Sequence, residues 1–84
     1  MSYTIHFKPS AKKELVELPN EILRKVDSVI EKLQNQPRPY GVKKLEGFSF
    51  YRIRVGDYRI IYEIVDKHKT IEISRIRHRR EVYR

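Results

Sequence analysis

Cysteine is absent from this chain. That excludes a disulfide framework, a thiol nucleophile and a cysteine-ligated metal site. No apolar run extends beyond a few residues, so no segment has the length needed to cross a bilayer. The opening residues Met1-Ser2-Tyr3-Thr4 lack the basic-then-apolar layout of a secretory signal, and a cytoplasmic protein is expected. At 84 residues the chain suits one domain spanning 1–84. Its core should be thin, because small domains bury a smaller share of their surface. A partner that covers apolar surface would then matter for stability.

Positive charge is plentiful. Nineteen Lys and Arg stand against eleven Asp and Glu, a formal +8. Residues 51–84 hold ten basic and five acidic side chains, and eight of the ten are arginines. Such a balance points to nucleic acid, an anionic membrane face or an acidic protein.

Hydrophobic periodicity orders the chain as β-α-α-β-β-β. Tyr3, Ile5 and Phe7 alternate with polar residues as a strand does. Pro9-Ser10 suggests a stop followed by a helix cap, and Ala11, Leu15 and Leu18 form the stripe of a short helix. Pro19-Asn20 offers a second break and cap. Ile22, Val26, Val29, Ile30 and Leu33 then mark one face of a longer helix, which ends before Pro37. The two helices should form an antiparallel hairpin. Residues 36–49 read as an irregular crossing loop. Phe50 to Val55, Tyr58 to Val65 and Thr70 to Ile76 read as a three-strand meander, with turns at Gly56-Asp57 and at Asp66 to Lys69. The expected class is α+β, a helical hairpin on one face of a small, mostly antiparallel sheet.

A two-residue turn at Gly56-Asp57 sets Val55 opposite Tyr58, Arg54 opposite Arg59 and Arg52 opposite Ile61. Tyr51, Ile53, Val55, Tyr58, Ile60, Tyr62 and Ile64 then share the helix-covered face. Arg52, Arg54 and Arg59 share the other, with Arg59 exposed and free of any core role. Directly opposed like charges destabilise an antiparallel pair, so a bound phosphate or acidic partner is the obvious beneficiary. Arginine fits that role through its planar, permanently charged fork. Plain alternation places Arg75 and Arg77 with Ile71 and Ile73 on the core face. A bulge or a strand end near Ser74 would resolve this, and the sequence leaves both open.

Metal-free RNA cleavage needs a base for the 2′-hydroxyl, cations for the phosphoryl oxygens and an acid for the leaving oxygen. The chain carries no carboxylate cluster for magnesium and no paired histidines. His6 and His68 read as structural or solvated. The ending Arg75-Ile76-Arg77-His78-Arg79-Arg80-Glu81-Val82-Tyr83-Arg84 combines guanidinium groups, a histidine that titrates near neutrality and an aromatic able to stack on a base.

Three segments together resemble the RelE-type toxins: Lys44-Leu45-Glu46-Gly47, the run from Tyr51 through Tyr62, and Arg77-His78-Arg79-Arg80-Glu81-Val82-Tyr83. With the two helices upstream, the likeness covers essentially the whole chain. The resemblance implies metal-independent, ribosome-dependent cleavage of mRNA by 2′-hydroxyl attack, with no cofactor. It also implies neutralisation by a cognate acidic, RelB-like antitoxin that wraps the toxin. Carried over by position, Arg59 matches an arginine on the scissile phosphate, Arg79 a general acid or charge stabiliser, and Tyr83 a base-stacking aromatic. Arg52 and Arg54 match two basic strand residues that are often lysines, and Lys44 and Arg77 complete the RNA- and phosphate-binding set. An arginine hardly deprotonates, so the base role passes to His78, or catalysis is mostly electrostatic. The alternative is a ParE-like inhibitor of DNA gyrase with the same fold and no nuclease activity. The His78-Arg79…Tyr83 ending favours the nuclease.

Overall fold

The computed structural model describes residues 2–45 and 49–78. β1 (Thr4–Phe7) leads into α1 (Pro9–Val16) and α2 (Asn20–Asn35). β2 (Lys43–Lys44), β3 (Phe50–Val55), β4 (Tyr58–Val65) and β5 (Thr70–His78) follow, with a 3₁₀ turn at Asp66–His68 between the last two. The strands form one sheet in the order β1-β5-β4-β3-β2. β1 lies parallel to β5, and the other neighbours are antiparallel. β3 and β4 take the bounds that their period of two predicts. Four details differ from the sequence reading. β5 runs on to His78, two residues past the expected end at Ile76. The crossing segment contributes the short edge strand β2. Pro9 is already inside α1, because its fixed φ suits the first helical position, so Ser10 is no cap and instead donates to the Ser74 carbonyl. Asn20 likewise begins α2 rather than capping it, and neither helix start carries a side-chain cap.

The core lies between helices and sheet. Val26, Ile30 and Leu33 of α2 and Ala11 of α1 are buried, as the stripes require. They cluster with Tyr51, Val55, Ile60, Tyr62, Ile64, Ile71, Ile73 and Ile76 from the sheet. Ile22, Leu15 and Val29 pack on its margin.

Tyrosines on a core face need a partner for the phenol oxygen, and here the crossing segment supplies it. Tyr62, fully buried, stacks on Tyr51 with centroids 5.9 Å apart and donates to the Pro37 carbonyl at 2.8 Å. Burial, reinforced by Tyr51, pushes the Tyr62 phenol well above its ordinary pKa. Arg38 lies over the Tyr51 ring, donates from Nε to the Tyr51 hydroxyl at 3.0 Å and pairs through Nη2 with Asp66 Oδ2 at 2.8 Å. Tyr3 donates to Asp66 Oδ1 at 2.6 Å. The segment before β2 is thereby tied to both ends of the sheet.

Two outcomes follow. Tyr62→Phe should lower unfolding free energy by roughly 1 kcal/mol, because the Pro37 carbonyl loses its buried donor; denaturant titration measures this. The Arg38 hydrogen bond, followed by that from Tyr3, holds the Asp66 carboxyl below its usual range. A carboxyl depressed in the folded state adds stability that is complete above its unfolded pKa and is lost as pH falls through the folded value. Stability should therefore fall below about pH 4. Asp66→Asn should flatten that acid limb in thermal scans.

Candidate nucleic-acid interface

Gly56 takes φ +60° at the first central position of the β3–β4 turn, as a two-residue hairpin of the II′ kind requires. The register is Val55 to Tyr58, Arg54 to Arg59 and Arg52 to Ile61. Residues paired directly across strands share a face, so the sheet face away from the helices can be read in rows. Arg54, Arg59 and Arg77 form one row across β3, β4 and β5. Lys43, Arg52, Ile61 and Arg75 form the next. Phe50, Glu63, Glu72 and His6 form the row beyond a one-residue gap. Charge is segregated along the strands, basic toward the β3–β4 turn and acidic toward the Asp66–His68 turn.

A bulge creates this arrangement. Ile61 faces Arg75 while its neighbour Tyr62 faces Ile73, leaving Ser74 as the extra residue in β5. The insertion shifts alternation by one. Ile71, Ile73 and Ile76 all remain buried, and Arg75 and Arg77 leave the core face. Of the two resolutions open in the sequence, the bulge is the one used.

Burial within the basic row is uneven. Arg54 is exposed and Arg52 half-buried, but Arg59 is only 3% exposed. The expectation of an exposed Arg59 is therefore wrong. It occupies β4, the central strand of the sheet.

His78 stands on the other side. It pairs with Tyr58 on the helix-facing side of the sheet, the two rings meeting edge to face at 5.2 Å. Both line a cleft of about 360 Å³ together with Glu14, Glu17, Leu18, Ile76 and Arg77. Glu14 on α1 accepts from the Ile76 backbone N–H at 2.9 Å and from Arg77 Nε at 3.0 Å, with Arg75 Nη1 at 3.6 Å. Arg77 thus reaches around the β5 edge to the helix side.

The expected site residues divide accordingly. Arg52, Arg54 and Arg59 share the open face. Arg77 starts on that face and ends in an ion pair with Glu14. His78 is one row further along, on the opposite face. Lys44 pairs with Tyr51 and belongs to the helix side, whereas Lys43 pairs with Arg52 and joins the basic rows. Arg79 and Tyr83 lie outside the described residues. His6 and His68 are exposed and line a shallow depression with Val65, Thr70 and Glu72. Among the described residues no group of three or more His, Cys, Asp or Glu could hold a metal ion, and no helix is long and apolar enough to cross a membrane. Sequence reading missed Glu14, which sits on the helix stripe's flank with no local signal of its partners 62 and 63 residues away.

The chain matches the family described as "ParE toxin of type II toxin-antitoxin system, parDE" over residues 5–83. It is also 35% identical, over 86 aligned positions, to the toxin RelG of Mycobacterium tuberculosis, covering 100% of this chain and 99% of the relative. The chain belongs to the RelE/ParE toxin superfamily. Toxin RelE3 of Methanocaldococcus jannaschii is 36% identical over 76 positions, 84% of each chain. The archaeal RelE–RelB complex of Pyrococcus horikoshii superimposes with a TM-score of 0.84 at 34% identity, over 94% of this chain and 97% of that one. The fold is the RelE toxin fold, and these relatives place the chain on the RelE side of the superfamily.

The Arg54–Arg59–Arg77 row makes one further outcome specific to this RelE-like toxin. Removing the exposed Arg54 relieves a direct like-charge opposition. Arg54→Ala should raise the melting temperature at low ionic strength, and the gain should shrink as added salt screens the row. Calorimetry at low and high salt checks it.

Proposed function

We propose that this toxin is a ribosome-dependent mRNA endoribonuclease of the cytoplasm, held inactive by an acidic RelB-like antitoxin. The observation that carries the reading is the row of guanidinium groups with the His78–Tyr58 pair in the next row, about 3.3 Å further along the strands. RNA lying across the β3–β4 end of the sheet meets phosphate donors on one face and an imidazole around the strand end.

Arg54, exposed, meets the scissile phosphate first. Arg52 and Lys43 hold the adjoining backbone. Arg59 engages the same phosphate, and its burial strengthens the interaction because few waters compete. His78 accepts the 2′-hydroxyl proton, the 2′-oxygen bonds to phosphorus and the bond to the 5′-oxygen breaks. Arg79 protonates or stabilises that leaving oxygen, and Tyr83 stacks on a base. Guanidinium groups neutralise the charge gathering on the phosphoryl oxygens. No step calls for a metal or cofactor. The relatives RelG and RelE3 and the RelE–RelB complex support this reading, including the antitoxin.

The matched family description names ParE, which favours gyrase inhibition as a second reading. Toeprinting of mRNA on translating ribosomes separates the two. The purified toxin should cut A-site mRNA, Arg54→Ala should cut far more slowly, and His78→Ala should lose the neutral-pH limb of the rate profile. A wild-type protein that leaves mRNA intact and stalls gyrase belongs to the second reading.

A further inference from the structure

β1 covers β5 only as far as Ile73, which pairs with Phe7. Beyond that point no strand among the described residues neighbours this edge of β5, yet this stretch carries Arg75, Arg77 and His78. A strand edge without a neighbouring strand presents backbone donors that need another acceptor. Glu14 fills the gap. One carboxylate oxygen takes the Ile76 N–H at 2.9 Å and the other takes Arg77 Nε at 3.0 Å. Its side chain is only 20% exposed, so both bonds are shielded from competing water. The same carboxylate counters one of three guanidinium groups in the row, which lowers the repulsion that Arg59 meets from β5.

We propose that Glu14 is a positioning residue of the nuclease, clamping the β5 end so that Arg77 is drawn off the open face and His78 stays seated on Tyr58. The inference rests on the nuclease reading above. Glu14 touches neither RNA nor the reacting atoms in this scheme. It acts through the strand, fixing where the imidazole stands relative to the arginine row. Glu17, Tyr58 and Arg77 are the other polar groups lining the cleft around His78.

Glu14→Gln and Glu14→Ala separate the two bonds. The glutamine oxygen can still accept from the Ile76 N–H, but its amide nitrogen cannot accept from Arg77. Alanine loses both. With full-length toxin, three readouts decide: thermal unfolding, hydrogen exchange of the Ile76 amide, and the kinetics of mRNA cleavage on ribosomes. Both variants should fold and keep a KM near wild type, while kcat falls roughly tenfold to a hundredfold, as small misplacements of catalytic groups do. Ile76 should stay protected in the glutamine variant and exchange quickly in the alanine variant. The proposal is overturned if either variant cuts at the wild-type rate, if Ile76 exchange in the alanine variant is unchanged, or if both variants fail to fold, since Glu14 is then merely structural. Wild type that cuts nothing removes the nuclease reading itself, and this proposal with it. Wild type that cuts while both variants match it removes only the proposal.

Discussion

Arg54, Arg59 and Arg77 occupy directly opposed positions on three adjacent strands, where like charges repel, and the Arg77 guanidinium turns to Glu14 on the helix side. Most of the surrounding structure accommodates this row. The Ser74 bulge turns Arg75 and Arg77 away from the core without exposing Ile73 or Ile76. Glu14 neutralises the β5 end of the row from the helix side. The acidic residues of the open face, Glu63 and Glu72, stand toward the other end of β4 and β5, too far along the strands to cancel the row. The result is a concentration of positive charge at the β3–β4 end of the open face.

The rest of the scaffold keeps that band in place with few residues. Arg38 with Tyr51, and Tyr62 with Pro37, bind the crossing segment to the sheet, and the helices lie over the core face while the opposite face stays uncovered by them. In a domain with so thin a core, these polar ties at the margin matter as much as additional apolar contacts. The open face carries charge that an acidic segment can cover.

Much of this was legible in the sequence because period-two alternation runs from Phe50 to Val55 and from Tyr58 to Val65, with Phe50, Ile61 and Val65 as apolar exceptions on the open face. A two-residue turn then fixes the register, and with it which side chains share a face. The helix stripe of Val26, Ile30 and Leu33 was equally plain. What stayed hidden depends on geometry beyond the local pattern. A bulge breaks alternation, and Ser74 carries no distinctive signal of one. β2 is two residues long, too short for a period. Arg59 is buried although it falls on the polar side of its strand's alternation, so the strand's own pattern does not reveal it. Glu14 acts on a strand more than 60 residues away. Arg79 and Tyr83 remain assigned through family resemblance.

The arginine row is proposed as a phosphate site whose repulsion a nucleic-acid backbone reduces. It is tested most directly by binding of a short single-stranded RNA with 2′-O-methyl groups, which blocks cleavage, as a function of salt. Each phosphate contact on a single strand contributes about 0.7 to the slope of log K against log salt. Arg54→Ala should reduce the magnitude of that slope by about 0.7 and weaken binding irrespective of sequence. A slope identical in wild type and variant would contradict the account, since Arg54 would then contact no phosphate.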